Sequence, residues 1–127
     1  MQPDAEVRVP AETAYVAVVR MATAAIAARL DFTLDDVEDL RIAVGEACAM
    51  VLAGARPDGS LTASFRLSPD RIDLEVSADS IRDVTPDPDS FAWQVLSTTA
   101  RDVTATAAAG RVTIALALVR DAADLPA

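Results

Sequence analysis

The stretch Thr33-Leu34-Asp35-Asp36-Val37-Glu38-Asp39-Leu40-Arg41-Ile42-Ala43-Val44-Gly45-Glu46-Ala47-Cys48-Ala49-Met50-Val51 runs through Gly54 and the turn Arg56-Pro57-Asp58-Gly59 into Leu61-Thr62-Ala63-Ser64-Phe65-Arg66-Leu67. It contains the change of period that decides the fold. In its first part Val37, Leu40, Val44, Cys48 and Val51 recur every three or four residues, which predicts one buried helix face. Thr33 with Asp36 three residues on is a variant capping box. Asp35, Asp36, Glu38 and Asp39 crowd the first turns, where the helix dipole favours negative charge. Beyond the turn the period becomes two, through Leu61, Ala63, Phe65 and Leu67 and then Ile72, Leu74 and Val76. Ser68-Pro69-Asp70 joins these runs as a hairpin.

Working outward, Val7 and Val9 alternate with Glu6 and Arg8 in a short strand stopped by Pro10. Residues 11–30 predict an Ala-rich helix with Tyr15, Val19, Ala22, Ile26 and Leu30 on its apolar face. Downstream, a polar stretch with Pro86 and Pro88 leads to a third helix from about Ser90 to Ala100, with Asp89 or Ser90 as its N-cap. A short strand at Val103 and Ala105, a turn at Gly110 and a strand through Val112, Ile114, Leu116 and Leu118 follow. The order β-α-α-β-β-α-β-β predicts an α+β two-layer sandwich, a mostly antiparallel sheet with helices on one face. Its outer face carries Thr62, Ser64, Arg66, Asp73 and Glu75 on the hairpin and apolar Ala115, Ala117 and Val119 on the last strand, a half-apolar surface open to self-association. Residues 1–127 read as a single domain, with 121–127 a frayed tail.

Composition removes several chemistries. The 127 residues carry 11 Arg and no Lys against 20 acids, for a net charge of −9. The absence of His and Lys excludes His-based triads, a Walker lysine and Schiff-base catalysis. Cys48 stands alone, so neither an internal disulfide nor a cysteine metal cluster is expected, as in a reducing cytosol. A pI near 4.3 argues against direct nucleic-acid binding and suits a basic protein partner. The polar, acidic opening Met1-Gln2-Pro3-Asp4 has no signal-peptide pattern, and no apolar run reaches bilayer length. A soluble, cytoplasmic protein is expected.

Few residues stand out for chemistry. Glu46 and Met50 sit one turn apart on the second helix. Glu46 reads more readily as a solvated helix carboxylate than as an acid beside a nucleotide pocket. Gly54 and Gly59 have the spacing of a Walker loop's glycines, but Ser60-Leu61 and a strand follow instead of Lys-Ser/Thr and a helix. Ser77-Ala78-Asp79-Ser80 ends a strand, where Asp79 reads as a turn former or as a binding group. Phe91 and Trp93 open the third helix as core residues or as interface anchors.

Asp39-Leu40-Arg41-Ile42-Ala43-Val44-Gly45-Glu46-Ala47-Cys48 resembles the N-box helix of the RsbW/SpoIIAB anti-sigma factors, small serine kinases of the GHKL (histidine-kinase/Hsp90-like) ATPase fold. Val9-Pro10-Ala11, the Ala-rich helix, the Leu74–Asp79 strand end, Arg101-Asp102-Val103 and Gly110-Arg111-Val112-Thr113-Ile114 fall in matching order. Asp89-Ser90-Phe91-Ala92-Trp93-Gln94-Val95-Leu96 is similar to the actinobacterial anti-SigF branch. The resemblance implies that Glu46 matches the general base and Asp79 the adenine-binding aspartate. Met50 replaces the family's Mg²⁺-binding Asn, and Ile81 replaces a glycine. Ser90 and Ala92 replace the glycines at the phosphates, so their Cβ atoms would plug the purine pocket. It further implies a sigma-factor contact at Arg20, with Val16 in place of an acidic residue one turn earlier.

The expectation is an anti-sigma factor that occludes an alternative sigma factor of RNA polymerase and is released by a STAS-type antagonist. It would be a homodimer with a degenerate site holding no metal and no cofactor. The alternatives are an active serine/threonine kinase using ATP–Mg on its antagonist, and a regulatory module that pairs with a full GHKL partner.

Overall fold

The computed structural model describes residues 2–120, so the tail expected to fray lies outside the described residues. Thr33 Oγ1 accepts the Asp36 N–H at 3.1 Å, and this cap starts the long helix predicted from the sequence. The elements are β1 (Ala5–Pro10), α1 (Val16–Arg29), α2 (Leu34–Leu52), β2 (Ser60–Ser68), β3 (Arg71–Asp79), α3 (Phe91–Thr99), β4 (Arg101–Ala108) and β5 (Arg111–Val119). All neighbouring strands are antiparallel, in the order β1-β2-β3-β5-β4. The α+β sandwich expected from the change of period is present.

Alternation on the strands sets the layers. Leu61, Ala63 and Phe65 on β2, Ile72, Leu74, Val76 and Ala78 on β3, and Val112, Ile114 and Leu116 on β5 are buried. They form one cluster with Val19 and Ala27 of α1, with Leu40, Val44, Cys48 and Val51 of α2, and with Leu96 of α3. Truncating Leu40 or Phe65, both essentially without exposure, would cost about 2–5 kcal/mol through lost transfer energy and the cavity left behind.

Three local expectations are corrected. The first helix begins at Val16, after a single 3₁₀ turn over Thr13–Tyr15. Its buried stripe is Val19, Thr23 and Ala27, while Tyr15 is exposed. Alanine makes several faces of this helix equally apolar, so packing and not hydropathy chose the face. Thr23 is tolerated inside because its hydroxyl donates to the Val19 carbonyl at 2.7 Å. The strand expected at Val103 and Ala105 extends over Arg101–Ala108, with a bulge between Arg101 and Thr104 and Asp102 at φ +53°.

The outer end of the last strand is also less open than expected. Ala117 is fully buried, and with Ala115 it floors a recess of ≈ 390 Å³ rimmed by Arg71, Asp73 and Asp102. Arg71 donates to Asp73 and to Asp102, each at 2.9 Å, so ionic groups border the small side chains.

Candidate functional site

The C-terminal end of α2 and the end of β3 are stitched together by backbone. Arg56 N–H donates to the Asp79 carbonyl at 2.8 Å, Ile81 N–H to Gly54 at 3.0 Å, and Ser80 N–H to Gly110 at 2.7 Å. Past this junction the segment 81–86 turns away from the sheet and leaves an open cleft of ≈ 500 Å³. Met50, Val51, Ala53 and Gly54 form one wall, Ser80 and Val112 the back, and Ile81, Arg82, Val84, Thr85 and Pro86 the other wall.

This volume lies in the range of small-molecule sites, roughly 300–1,000 Å³. Ser90 and Ala92, expected at the phosphates, are not among the residues that line this cleft, and space remains in it. Its chemistry is what is unusual. No carboxylate lines it. Asp83, the nearest acid in sequence, accepts the Gly110 N–H at 3.2 Å. Ser80 Oγ lies 2.6 Å from the Arg82 carbonyl and 3.1 Å from the Gly54 carbonyl, which its single proton must serve, and it accepts the Arg82 N–H at 3.3 Å. Met50 offers a thioether. Thr85 adds a hydroxyl. A thioether and neutral hydroxyls, with no carboxylate or side-chain amide, are a poor set for Mg²⁺, a hard cation that takes oxygen ligands and favours charged ones. Among the described residues no group of three or more His, Cys, Asp or Glu is placed to hold a metal.

The residues singled out in the sequence are dispersed. Glu46 is half-buried one turn before Met50 on α2; among the described residues it makes no hydrogen bond or ion pair, and it does not line the cleft. Ser90 caps α3, its Oγ accepting the Trp93 N–H at 3.2 Å, and Ala92 is half-buried in the first turn. Phe91 and Trp93 part company: Trp93 packs on the core, whereas Phe91 is 81% exposed.

Asp79 is not among the residues that line the cleft. Alternation along β3 puts Ala78 inward and Asp79 on the opposite face with Ser77. There Asp79 Oδ2 accepts the Ser60 N–H at 3.0 Å and Oδ1 accepts from Arg111 Nη1 at 2.6 Å. Arg111 Nη2 donates to Ser77 Oγ at 2.6 Å. The Ser60 N–H, followed by the Arg111 cation, holds the Asp79 carboxyl below the usual carboxylate range. Ser80, buried and facing the helices, occupies the cleft position instead. Counting by twos from Ile72 through Leu74, Val76 and Ala78 reaches Ser80, a signal that motif matching passed over.

A second groove, of ≈ 400 Å³, runs between α1 and α2 and is lined by Val16, Ala17, Arg20, Gly45 and Ala49. The Arg20 stem crosses α2 at Gly45, where an added Cβ would stand 3.4 Å from Arg20 Cδ. Arg20 is exposed and has no ion-pair or hydrogen-bond partner among the described residues. Below it, burial pushes the Cys48 thiol up to about 12, against a smaller opposite pull from the Arg20 charge.

No helix among the described residues is long and apolar enough to cross a membrane. The family model described as "Histidine kinase-like ATPase domain" matches residues 9–124. The chain is similar to the serine-protein kinase RsbW of Bacillus cereus, 36% identical over 78 residues that cover 60% of this chain and 49% of the relative. For the protein of the same name from Halalkalibacterium halodurans the identity is 44% over 78 residues, covering 60% and 48%. For that of Bacillus velezensis it is 39% over 75 residues, covering 57% and 47%. The chain thus spans about half the length of the curated relatives it matches. With the α-over-β sandwich, the N-box-like α2 and a cleft at its end in place, the chain belongs to the histidine kinase-like ATPase domain family.

Proposed function

We propose that this chain is an anti-sigma factor that holds an alternative RNA polymerase sigma factor by occlusion, without nucleotide turnover. The observation that carries this reading is the lining of the cleft at Met50. A kinase of this family would need oxygen ligands for Mg²⁺ there, and the lining offers a thioether and no carboxylate. Glu46 keeps the position of the family's base with nothing to act on, as a vestige. Asp79, tied to Ser60 and Arg111, serves the sheet and not an adenine.

Occlusion needs only a surface. Arg20 and Val16 share the α1–α2 groove, and the guanidinium, without a partner among the described residues, suits an acidic group on the sigma factor. An interface of standard size, about 1,600 Å² in total, centred on this groove would mask a comparable patch of the sigma factor. In this reading the protein acts in the cytoplasm as a homodimer, and a STAS-type antagonist releases the sigma factor by competing for the chain.

The second reading, an active serine kinase acting on that antagonist, draws on the open volume of the cleft and on Glu46. Two measurements separate them. Capture of one sigma factor in nucleotide-free buffer, with no heat on titrating ATP and Mg²⁺, is the expected result. Saturable ATP–Mg²⁺ binding with phosphate transfer to a small antagonist would replace it with the kinase reading, and failure to capture any sigma factor would end the anti-sigma reading.

A further inference from the structure

We propose that the cleft at the end of α2 binds a small amphipathic acid, an apolar body carrying one carboxylate. This inference rests on the reading above that Mg–ATP is not its occupant. Met50, Val51, Val84, Pro86 and Val112 give it apolar walls. Arg82 is the one charged side chain lining it, and that side chain has no ion-pair or hydrogen-bond partner among the described residues. A cation without a partner among the described residues, at an otherwise apolar cleft, selects for an anion.

The number of charges is limited as well as their sign. Asp83 is turned to the Gly110 N–H, so no acid beside Arg82 would attract an amine. Ser80 is engaged by two carbonyls and the Arg82 N–H, so the back of the cleft offers no free donor to a second anionic group, and the Thr85 hydroxyl on the wall is neutral. One guanidinium matches one carboxylate through charge-assisted hydrogen bonds. A polyphosphate would bring several uncompensated charges against apolar walls.

The apolar body has surface waiting for it. Ile81 is 67% exposed and Val84 64% exposed, and they flank Arg82 on the wall formed by 81–86. A ligand chain lying along them gains burial on both sides of its carboxylate contact. The back of the cleft is preformed, because Ser80 and Ile81 are pinned to Gly110 and Gly54 by backbone hydrogen bonds.

The test is calorimetric titration of the full chain with decanoate below its micelle concentration, with decylammonium as the charge-reversed control. Decanoate should saturate at one per chain and decylammonium should not. Arg82→Met should weaken decanoate roughly tenfold, as expected for losing one charge-assisted hydrogen bond. Val84→Asp, at an exposed position that folding does not depend on, should abolish binding. No saturable decanoate binding, or binding indifferent to both substitutions, overturns the proposal and leaves the nucleotide-free reading intact. Displacement of decanoate by ATP–Mg²⁺ would make the cleft a nucleotide site and overturn both that reading and this proposal.

Discussion

Asp79 and Arg111 are register partners on β3 and β5, and their side chains meet at 2.6 Å on the face of the sheet away from the helices. The same carboxylate accepts the Ser60 N–H that opens β2, so one side chain ties three consecutive strands of the sheet. Asp79→Ala should therefore lower stability by about 1–3 kcal/mol, since it leaves a strand-end N–H without its acceptor and the Arg111 guanidinium with Ser77 alone. Chemical denaturation checks this.

The same contact makes a pH prediction. The folded-state carboxyl titrates below its ordinary value of 3.8, so its contribution is fully present above that value and is lost as pH falls through the lowered folded value. Between neutral pH and about pH 5 Asp79 should add no slope to the stability profile. Below that the wild type should lose stability faster than Asp79→Asn, whose amide does not titrate. Parallel acid limbs for the two proteins would show that the ion pair contributes nothing.

Gly59 is bound to the same structure by space. A Cβ built there would stand 2.9 Å from Asp79 Cβ, closer than such atoms approach, and a tight 3.2 Å from the Arg56 carbonyl. Gly59→Ala should destabilise by about 1–3 kcal/mol through overpacking. In the Asp79→Ala background, where Cβ remains, most of that loss should persist, which separates crowding from the loss of the ion pair.

Much of the architecture was readable from period alone, because α2 buries one stripe and the β2–β3 hairpin buries one face, and each period has one geometric solution. The Thr33 and Ser90 caps were equally local. Alpha1 resisted because Ala at so many positions carries no facial preference. The candidate site resisted for another reason: motif spacing says which residue occupies a matched position but not which way a strand turns it, and Asp79 faces outward. Nor could local sequence show Arg120, which reaches back 90 residues to donate to the Leu30 carbonyl and lies 4.7 Å over the Phe32 ring.

Cys48 should behave as an inert core thiol. It is fully buried, and its pKa of about 12 leaves almost no thiolate at neutral pH. A thiol reagent at pH 8 should label it only at the rate of unfolding, with labelling accelerated in denaturant. Rapid stoichiometric labelling of the native protein would contradict this packing.

If the proposed sigma-factor contact is right, Arg20→Glu should weaken sigma-factor capture by about tenfold, because it reverses the charge of a group in the α1–α2 groove that has no partner among the described residues. The melting temperature should stay within a degree or two, since the side chain is exposed and makes no ion pair among the described residues. A drop in stability that matches the drop in binding would make Arg20 a scaffold residue rather than a contact.

Met50→Asn is the sharpest probe of the cleft. It supplies the amide oxygen that Mg²⁺ would need, on a side chain that is only half-buried, and it adds nothing else. If a missing metal ligand were the sole defect, the variant would gain saturable ATP–Mg²⁺ binding. The remaining lining argues for silence: Ser80 is engaged, Ile81, Val84 and Pro86 are apolar, Thr85 adds one neutral hydroxyl, and Arg82 is the one cation to face the phosphates' charge. The expected result is therefore no nucleotide heat, together with weaker decanoate binding, because an amide replaces apolar wall. Nucleotide binding restored by this one substitution would mean that the cleft is a nucleotide site lacking only its metal anchor, and the nucleotide-free mechanism would have to be abandoned.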